Sequence, residues 1–248
     1  MIKRILKNIV DKLGYRVNSN KYIPKPLQNK DNILALDFDH VLSKYLINKN
    51  KESDVFFIQI GTFDGIECDP LRKYLLKYNW TGLMMEPQPG PFKRLENEYA
   101  TRKGLVLLNA AIGKECVKSM LYTIESNHVP EWAKGMASFN REVILKHTSL
   151  FPHIEEYIKE VEVDTLSFEY LFNEFAIKHI DVLQIDTEGY DANIIQMFPF
   201  NKVMPAIIHF ESKHIAKAEL EKTLDILLAK GYKIARDGEE DMTAVLHD

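Results

Sequence analysis

The sequence predicts an α/β protein with a mostly parallel sheet, helices on both faces of that sheet and a C-terminal antiparallel hairpin. Five short apolar runs follow one another from residue 55 onward, with helical stretches between several of them, which is the order that βαβ units produce. The runs are apolar at successive positions, as strands buried on both faces require. Asp237 and Gly238 separate two alternating runs near the end of the chain, a pattern typical of a hairpin.

The predicted elements alternate along the chain. The strands cover residues 55–60, 82–87, 104–113, 181–186 and 206–211, and the hairpin closes the sheet with an antiparallel edge within 232–246. The helices cover residues 70–78, 90–102, 164–176 and 218–231, where apolar side chains recur at helical spacing.

Residues 1–53 are predicted to form an N-terminal helical extension and linker, and residues 54–248 the main domain. Six apolar residues of the first segment recur at helical spacing: Ile2, Ile5, Leu6, Ile9, Val10 and Leu13. We expect this amphipathic helix to dock on the core or on a second subunit, which would give a homo-oligomer. A helix on a membrane surface is the alternative. The polar stretch 18–32 contains two prolines and is typical of a linker.

Composition narrows the class of protein. The net charge is −4 and the isoelectric point is about 6.1, which argues against a nucleic-acid partner because such surfaces are usually basic. The two cysteines cannot build a disulfide framework or a metal-type cysteine motif, so a cytoplasmic location is expected. No apolar run approaches the ~20 residues of a transmembrane helix.

Three successive strands end in residues that suit an adenosine ligand. Gly61 and Gly65 form a bare turn after the first strand, where a ligand can lie against the backbone. Glu86 ends the second strand, where a carboxylate can accept hydrogen bonds from two ribose hydroxyls. Asn109 and Ala110 follow the third strand, where an amide and a small side chain can meet an adenine ring. Since no pyrophosphate-binding glycine pattern occurs, S-adenosylmethionine is the predicted cofactor.

Acidic residues cluster at the ends of the next two strands. Asp186 and Glu188 follow the run DVLQI, and His209 and Glu211 lie in AIIHFES. Burying so many acids without partners would be costly, so the pattern favours a polar pocket that uses them. Ion pairs to Lys213 or Arg141 are the alternative explanation.

The chain resembles the FkbM-type methyltransferases, a family of class I (Rossmann-like) S-adenosylmethionine-dependent O-methyltransferases. The resemblance lies in six ordered motifs over roughly residues 54–246: FFIQIGTFDG, MMEPQP, LLNAAIG, ASFNRE, VEVDTLSFEYL and DVLQIDTEGYDANII. It implies that residues 54–248 form a methyltransferase domain. It also implies a small-molecule or glycan acceptor, whose sugar or natural-product hydroxyl is methylated.

The resemblance also implies roles for individual residues. Gly61, Asp64 and Gly65 would surround the methionine moiety, and Ser138 of ASFNRE would lie near the cofactor. Glu86 would contact the ribose, and Asn109 and Ala110 would lie near the adenine. Asp186 and Glu188 would face the site of methyl transfer. The chain departs from the family pattern at Gln59, at Thr62-Phe63 and at Gln184.

A hydroxyl acceptor needs a base. Asp186 is the first candidate, with Glu188, His209 and Glu211 as alternates. Alternatively, the acids hold Mg²⁺, which then binds the acceptor hydroxyls, since carboxylates suit hard divalent ions.

Two other functions compete with methyl transfer. The stretch ILALDFDHVLS resembles the nucleophile motif of haloacid-dehalogenase-like phosphatases, with Asp37 and Asp39 after an apolar run. The second competing function is an interaction module: a methyltransferase-like domain that does not bind the cofactor. The departure from the family pattern at Gln59 motivates this alternative.

Overall fold

The computed structural model describes residues 34–49 and 54–246. The predicted amphipathic helix at the N-terminus lies outside the described residues, so its docking partner stays a prediction. Within the described part of the chain, no helix is long and apolar enough to cross a membrane.

An eight-stranded sheet organises the protein and confirms the predicted fold class. Its strand order is β1-β10-β11-β9-β8-β2-β3-β4, and every neighbouring pair is parallel except those that β11 makes with β10 and β9. The strands are β1 (Leu34–Ala35), β2 (Phe56–Ile60), β3 (Thr81–Met85), β4 (Leu105–Leu108), β8 (Val182–Ile185), β9 (Ile207–Glu211), β10 (Tyr232–Asp237) and β11 (Asp241–Leu246).

The C-terminal hairpin forms as predicted, but it does not form the edge of the sheet. β11 inserts between β9 and β10, and β1 pairs with β10 on the outside. Leu34 and Ala35, which lie in the predicted N-terminal extension and linker, therefore form the edge strand. Its two paired residues are too few to show strand periodicity in the sequence.

Helices cover both faces of the sheet. They are α1 (Phe38–Lys49), α2 (Arg72–Lys77), α3 (Pro89–Tyr99), α4 (Arg141–Leu145), α5 (Ile154–Tyr157), α6 (Phe168–Glu174), α7 (Asp191–Met197) and α8 (Lys217–Ala229). The helices α6, α7 and α8 pack on the face that carries Ile58, Leu183 and Ile208. The helices α1, α2 and α3 pack on the opposite face, which carries Phe57 and Val182. Alternate strand residues thus fill two separate apolar layers.

A second, three-stranded sheet has the order β5-β7-β6 and lies beside the main one. Its strands are β5 (Ala111–Ile112), β6 (Lys118–Ile124) and β7 (Ile158–Leu166). The predicted strand 104–113 is therefore two strands, β4 and β5, which belong to different sheets. Between β6 and β7 the chain forms a small apolar cluster around Met136, Ile144 and Ile154.

Helix α1 is tied to the main sheet by a hydrogen bond as well as by apolar packing. The hydroxyl of Tyr45 donates to Oδ1 of Asp181 at 2.6 Å. Asp181 is almost fully buried, and its Oδ2 accepts the backbone N–H of Phe56 at 2.9 Å. Residues 34–49 thus share a core with the domain that follows, while the predicted boundary near residue 53 stays a prediction.

Replacing Tyr45 by phenylalanine should lower the free energy of unfolding by about 1–2 kcal/mol, because a buried carboxylate loses one hydrogen-bond donor. Denaturant unfolding followed by circular dichroism measures the change. The matched control is Tyr170→Phe, since Tyr170 is 41% exposed. Equal stabilities of the two variants would show that the Tyr45 bond contributes nothing.

Candidate active site

A cavity opens at the carboxyl ends of β2, β3 and β8, between the main sheet and the three-stranded sheet. Five of the predicted site residues line it: Gly61, Glu86, Ser138, Asp186 and Glu188. The lining also includes Gln88, Ala111, Ile112, Phe139 and Tyr190. Because parallel strands end at one edge, residues far apart in sequence meet here.

Gly61 brings the ends of β2 and β8 together. Its φ angle is +79°, and a Cβ at this position would lie 1.7 Å from the backbone oxygen of Asp186. Its N–H donates to the carbonyl of Met85 at 2.9 Å, which also fixes the turn against β3. No side chain fits between the turn and β8, so the bare backbone serves strand approach at the cavity wall.

Glu86 is the buried acid of the site. Its side chain is 3% exposed, Oε2 accepts the N–H of Phe63 at 2.9 Å, and Oε1 accepts the N–H of Gln88 at 2.8 Å. Burial is the main cause that raises the pKa of Glu86 to about 7, against the lowering effect of these two N–H groups. The carboxyl group therefore joins the turn after β2 to the segment after β3.

Asp64 and Gly65 shape the turn without lining the cavity. Asp64 Oδ1 accepts the N–H groups of Ile66 and Glu67 at 2.9 and 3.0 Å. Gly65 has a φ of +69°, and its carbonyl accepts the Tyr99 hydroxyl at 2.8 Å. Their contacts are with the loop and with α3.

Asn109 and Ala110 lie next to the cavity rather than in its wall. The Asn109 side-chain amide donates to the carbonyls of Glu86 and Pro87 at 2.8 and 3.1 Å, and Ala110 is buried. The wall is formed by the following two residues, Ala111 and Ile112. Asn109 thus holds the segment that carries Glu86.

Ser138 reaches the cavity because its segment pairs with β6. Its backbone exchanges two hydrogen bonds with Tyr122, at 2.9 and 3.0 Å. Its hydroxyl accepts the N–H of Asn140 at 3.2 Å. The three-stranded sheet therefore positions one wall of the cavity.

Asp186 directly follows β8 and lines the cavity. Among the described residues, its carboxylate has no hydrogen-bond or ion-pair partner. The surrounding protein raises the pKa of Asp186 well above its ordinary value, mainly by desolvation and further through the negative charges of Asp191 and Glu188. An unpartnered carboxylate of raised pKa in a cavity is suited to accept a proton.

More acids surround Asp186. Desolvation is the main cause that raises the pKa values of Glu188 to about 7, Asp191 to about 6 and Asp241 to about 7. Desolvation and the charge of Asp186 raise the pKa of Glu211 to about 10. Asp191 holds the turn after β8, because its Oδ2 accepts the Thr187 hydroxyl at 2.8 Å. This edge of the sheet therefore favours a positively charged ligand.

His209 is not brought into this cavity. Its ring stacks on Phe38 of α1 with centroids 4.2 Å apart, and its Nδ1 lies 2.9 Å from the Thr243 hydroxyl. Burial lowers the pKa of His209 to about 4. His209 lines a second cavity beside α1. Its contacts therefore do not support a role as the base in the cavity that Asp186 lines.

The alternative explanation of the acids, ion pairs to Lys213 or Arg141, is not supported by the contacts of these two cations. Among the described residues, Lys213 pairs with Glu240, at 2.5 Å, and Arg141 has no ion pair. The partner of Glu188 and Glu211 is instead His214, which the sequence analysis did not single out.

The DFDH segment has a structural explanation. Asp37 Oδ1 accepts the N–H of Asp39 at 2.9 Å at the start of α1. Asp39 forms an ion pair with Lys73 and accepts the Tyr74 hydroxyl at 3.1 Å. These contacts explain the two acids as a helix start and an ion pair, and they do not favour a phosphatase.

The strand order, with one antiparallel strand inserted next to the end of the sheet, and the cavity at the carboxyl edge define a class I methyltransferase fold. The chain belongs to the Methyltransferase FkbM domain family, whose profile matches residues 59–234. The predicted family is thereby confirmed. None of the curated proteins matches the sequence.

Several solved structures of methyltransferases are similar to this chain at low identity. The methyltransferase FkbM from Methylobacillus flagellatus is 12% identical, with a TM-score of 0.45 over 78% of this chain and 44% of that chain. The precorrin-6y C5,15-methyltransferase from Geobacter metallireducens is 11% identical, with a TM-score of 0.39 over 92% and 94% of the two chains. The N-terminal domain of human METTL16 is 11% identical, with a TM-score of 0.42 over 97% and 78%. The chain thus spans less than half the length of the Methylobacillus protein.

Proposed function

We propose that the protein is an S-adenosylmethionine-dependent O-methyltransferase that acts on a hydroxyl of a sugar, glycan or related natural product. The observation that carries the proposal is the unpartnered Asp186 carboxylate, which faces the same cavity as the buried acid Glu86. One acid is suited to hold the cofactor and the other to accept the acceptor proton. Family membership gives the reaction type.

The residues present fit the cofactor. Each Glu86 oxygen accepts one backbone N–H and keeps a further lone pair, so the carboxylate can still accept two ribose hydroxyls. Ala111, Ile112 and Leu121 provide apolar wall for an adenine ring. The acids around Asp186 offer a negative environment to a sulfonium.

Asp186 acts on the acceptor in this proposal. When bound, S-adenosylmethionine supplies an electrophilic methyl group on a positively charged sulfur. Asp186 takes the proton of the acceptor hydroxyl as the oxygen attacks, and Glu188, which lines the same cavity, orients that hydroxyl. General-base assistance of this kind contributes about 10²–10⁴-fold.

An aromatic pair in the cavity wall is the surface that we assign to the acceptor. Phe139 and Tyr190 line the cavity with ring centroids 5.5 Å apart, in an edge-to-face arrangement. Their apolar surface next to acidic groups suits a molecule with both C–H faces and hydroxyls, as a sugar has. The absence of a nucleic-acid partner, the cytoplasmic location and the homo-oligomer remain predictions from the sequence.

The test is titration with S-adenosylhomocysteine, followed by transfer of a labelled methyl group to a panel of hydroxylated acceptors. We expect micromolar binding and transfer to at least one sugar-containing acceptor. Failure to bind the cofactor product, together with capture of a stable partner, would favour the interaction module instead.

A dependence on Mg²⁺ is tested separately. Activity lost in a chelator and restored by Mg²⁺ would support a metal-assisted reaction, whereas full activity in the chelator would leave Asp186 as sole base.

A further inference from the structure

Three potential metal ligands lie together near the carboxyl edge of the main sheet, and one of them, Glu188, also lines the cavity. Glu188 follows β8, Glu211 ends β9, and His214 lies in the turn before α8. His214 Nε2 is 3.3 Å from Glu188 Oε2 and 3.6 Å from Glu211 Oε1. One ligand atom from each residue lies within 4.8 Å of the other two.

The two distances to His214 Nε2, 3.3 and 3.6 Å, are close to the spacing of atoms that share a metal ion. Nitrogen and oxygen ligands lie roughly 2.0–2.2 Å from a transition metal, so neighbouring ligand atoms are roughly 3.0–3.5 Å apart. The three side chains are partly or largely shielded, with 28%, 12% and 11% exposure for Glu188, Glu211 and His214.

One oxygen of this cluster is buried without a partner among the described residues. Oε2 of Glu211 is buried and has no hydrogen-bond partner within the described ranges, which leaves a lone pair free for an ion.

The backbone is arranged to bring these ligands together. Glu188 has a φ of +52°, in the left-handed region that non-glycine residues rarely adopt. Gly189, with a φ of +99°, lets His214 approach, because a Cβ there would lie 3.2 Å from the Cβ of His214. The His147 ring packs against His214 at 5.3 Å, and its Nε2 is buried without a partner in the described parts of the chain.

We propose that Glu188, Glu211 and His214 bind one divalent transition-metal ion, Mn²⁺ or Zn²⁺. The imidazole of His214 makes Mg²⁺ an unfavourable ion for this site, because Mg²⁺ prefers oxygen ligands, whereas Zn²⁺ and related ions also bind nitrogen. Binding of the ion does not depend on methyl transfer. Its role there, positioning the acceptor hydroxyl next to Asp186, rests on the proposed function.

Equilibrium dialysis against MnCl₂, ZnCl₂ and MgCl₂, with metal counted per chain, tests the site. Wild type should bind one Mn²⁺ or Zn²⁺ at micromolar concentration and Mg²⁺ at least tenfold more weakly. His214→Gln and Glu211→Gln should each weaken Mn²⁺ binding at least tenfold. The matched control is His153→Gln, which removes an exposed histidine 3.3 Å from Glu156 and should change nothing.

Circular dichroism of each variant verifies that it is folded, and two independent ligand variants guard against one that is not. No metal on wild type, unchanged binding in both variants, or tighter binding of Mg²⁺ than of Mn²⁺ would overturn the proposal. Titration of the same samples with S-adenosylhomocysteine separates the two proposals. If the protein binds the metal but not S-adenosylhomocysteine, only the proposed methyltransferase function is excluded. If it binds S-adenosylhomocysteine but not the metal, only the proposed metal site is excluded.

Discussion

Replacing Asp186 by asparagine should reduce the rate of methyl transfer about 10²–10⁴-fold, the range that a general base contributes. Asparagine keeps the size and polarity of the side chain but cannot accept the proton. The carboxylate of Asp186 has no partner among the described residues, so the substitution breaks no observed contact and should leave the fold unchanged. The affinity for S-adenosylhomocysteine should stay within about threefold, because Glu86 provides the proposed ribose contact.

Single-turnover transfer to a hydroxylated acceptor measures this rate, and calorimetry measures the affinity. The matched control is Asp164→Asn, which removes an exposed aspartate of β7 paired with Lys118 and should leave both values unchanged. Turnover within threefold of wild type would exclude Asp186 as the base and transfer that role to Glu188. A large fall in affinity instead would assign Asp186 to cofactor binding.

The residues at strand ends were predictable because of a general property of parallel sheets. The carboxyl ends of parallel strands meet at one edge of the sheet, so Gly61, Glu86 and Asp186 could be assigned to one cavity without knowing the structure. This prediction fails where the chain leaves the sheet. Residues 104–113 are apolar throughout, yet the chain turns at Asn109 into the second sheet, and the cavity wall moves from Ala110 to Ala111 and Ile112.

His209 and His214 show a different limit. His209 lies two residues before the end of β9. The contacts of its side chain depend on which helix covers that part of the strand. That helix is α1, from a segment that the sequence placed in the linker. His214 comes from a turn, and its distance to Glu188 depends on the left-handed backbone at Glu188 and Gly189. Neither relation leaves a local pattern in the sequence.

The acids at the site were predicted as a group, but their partners were not. Sequence alone suggested ion pairs to Lys213 or Arg141, since a salt bridge is the common way to neutralise a carboxylate. The structure leaves Asp186 without a partner among the described residues and places His214 beside Glu188 and Glu211. Burial and like-charged neighbours raise the pKa values of these three acids, and a nearby sulfonium or metal ion would lower them again.

Replacing Glu86 by glutamine should weaken S-adenosylhomocysteine binding about 10- to 100-fold and remove a pH dependence that wild type should show. Hydrogen bonds to a charged acceptor contribute about 1.5–3 kcal/mol, and glutamine offers one acceptor oxygen instead of two. In the ligand-free protein the pKa of Glu86 is about 7. Ribose hydroxyls favour the ionised form, so binding should lower that pKa and release a proton.

The sign of the pH dependence follows from this release. Wild-type affinity should rise with pH between 6 and 8, by at most tenfold per pH unit, and the Glu86→Gln affinity should stay flat in that range. The ligand-free fold should show the opposite trend. Because its folded pKa lies above the ordinary value of 4.5, Glu86 is destabilising when ionised, by about 3 kcal/mol once the pH exceeds 7.

Calorimetry in two buffers of different ionisation enthalpy measures the proton released, and denaturant unfolding at pH 5 and pH 8 measures the stability difference. The exposed Glu125, changed to glutamine, is the matched control and should alter neither trend. The proposed contact between Glu86 and the ribose would be wrong if the wild-type affinity did not change with pH and the Glu86→Gln affinity equalled that of wild type. A flat affinity, together with a stability trend that is smaller in Glu86→Gln than in wild type, would instead show that Glu86 is buried to fasten the turn after β2 to the end of β3, and that the cofactor lies elsewhere in the cavity.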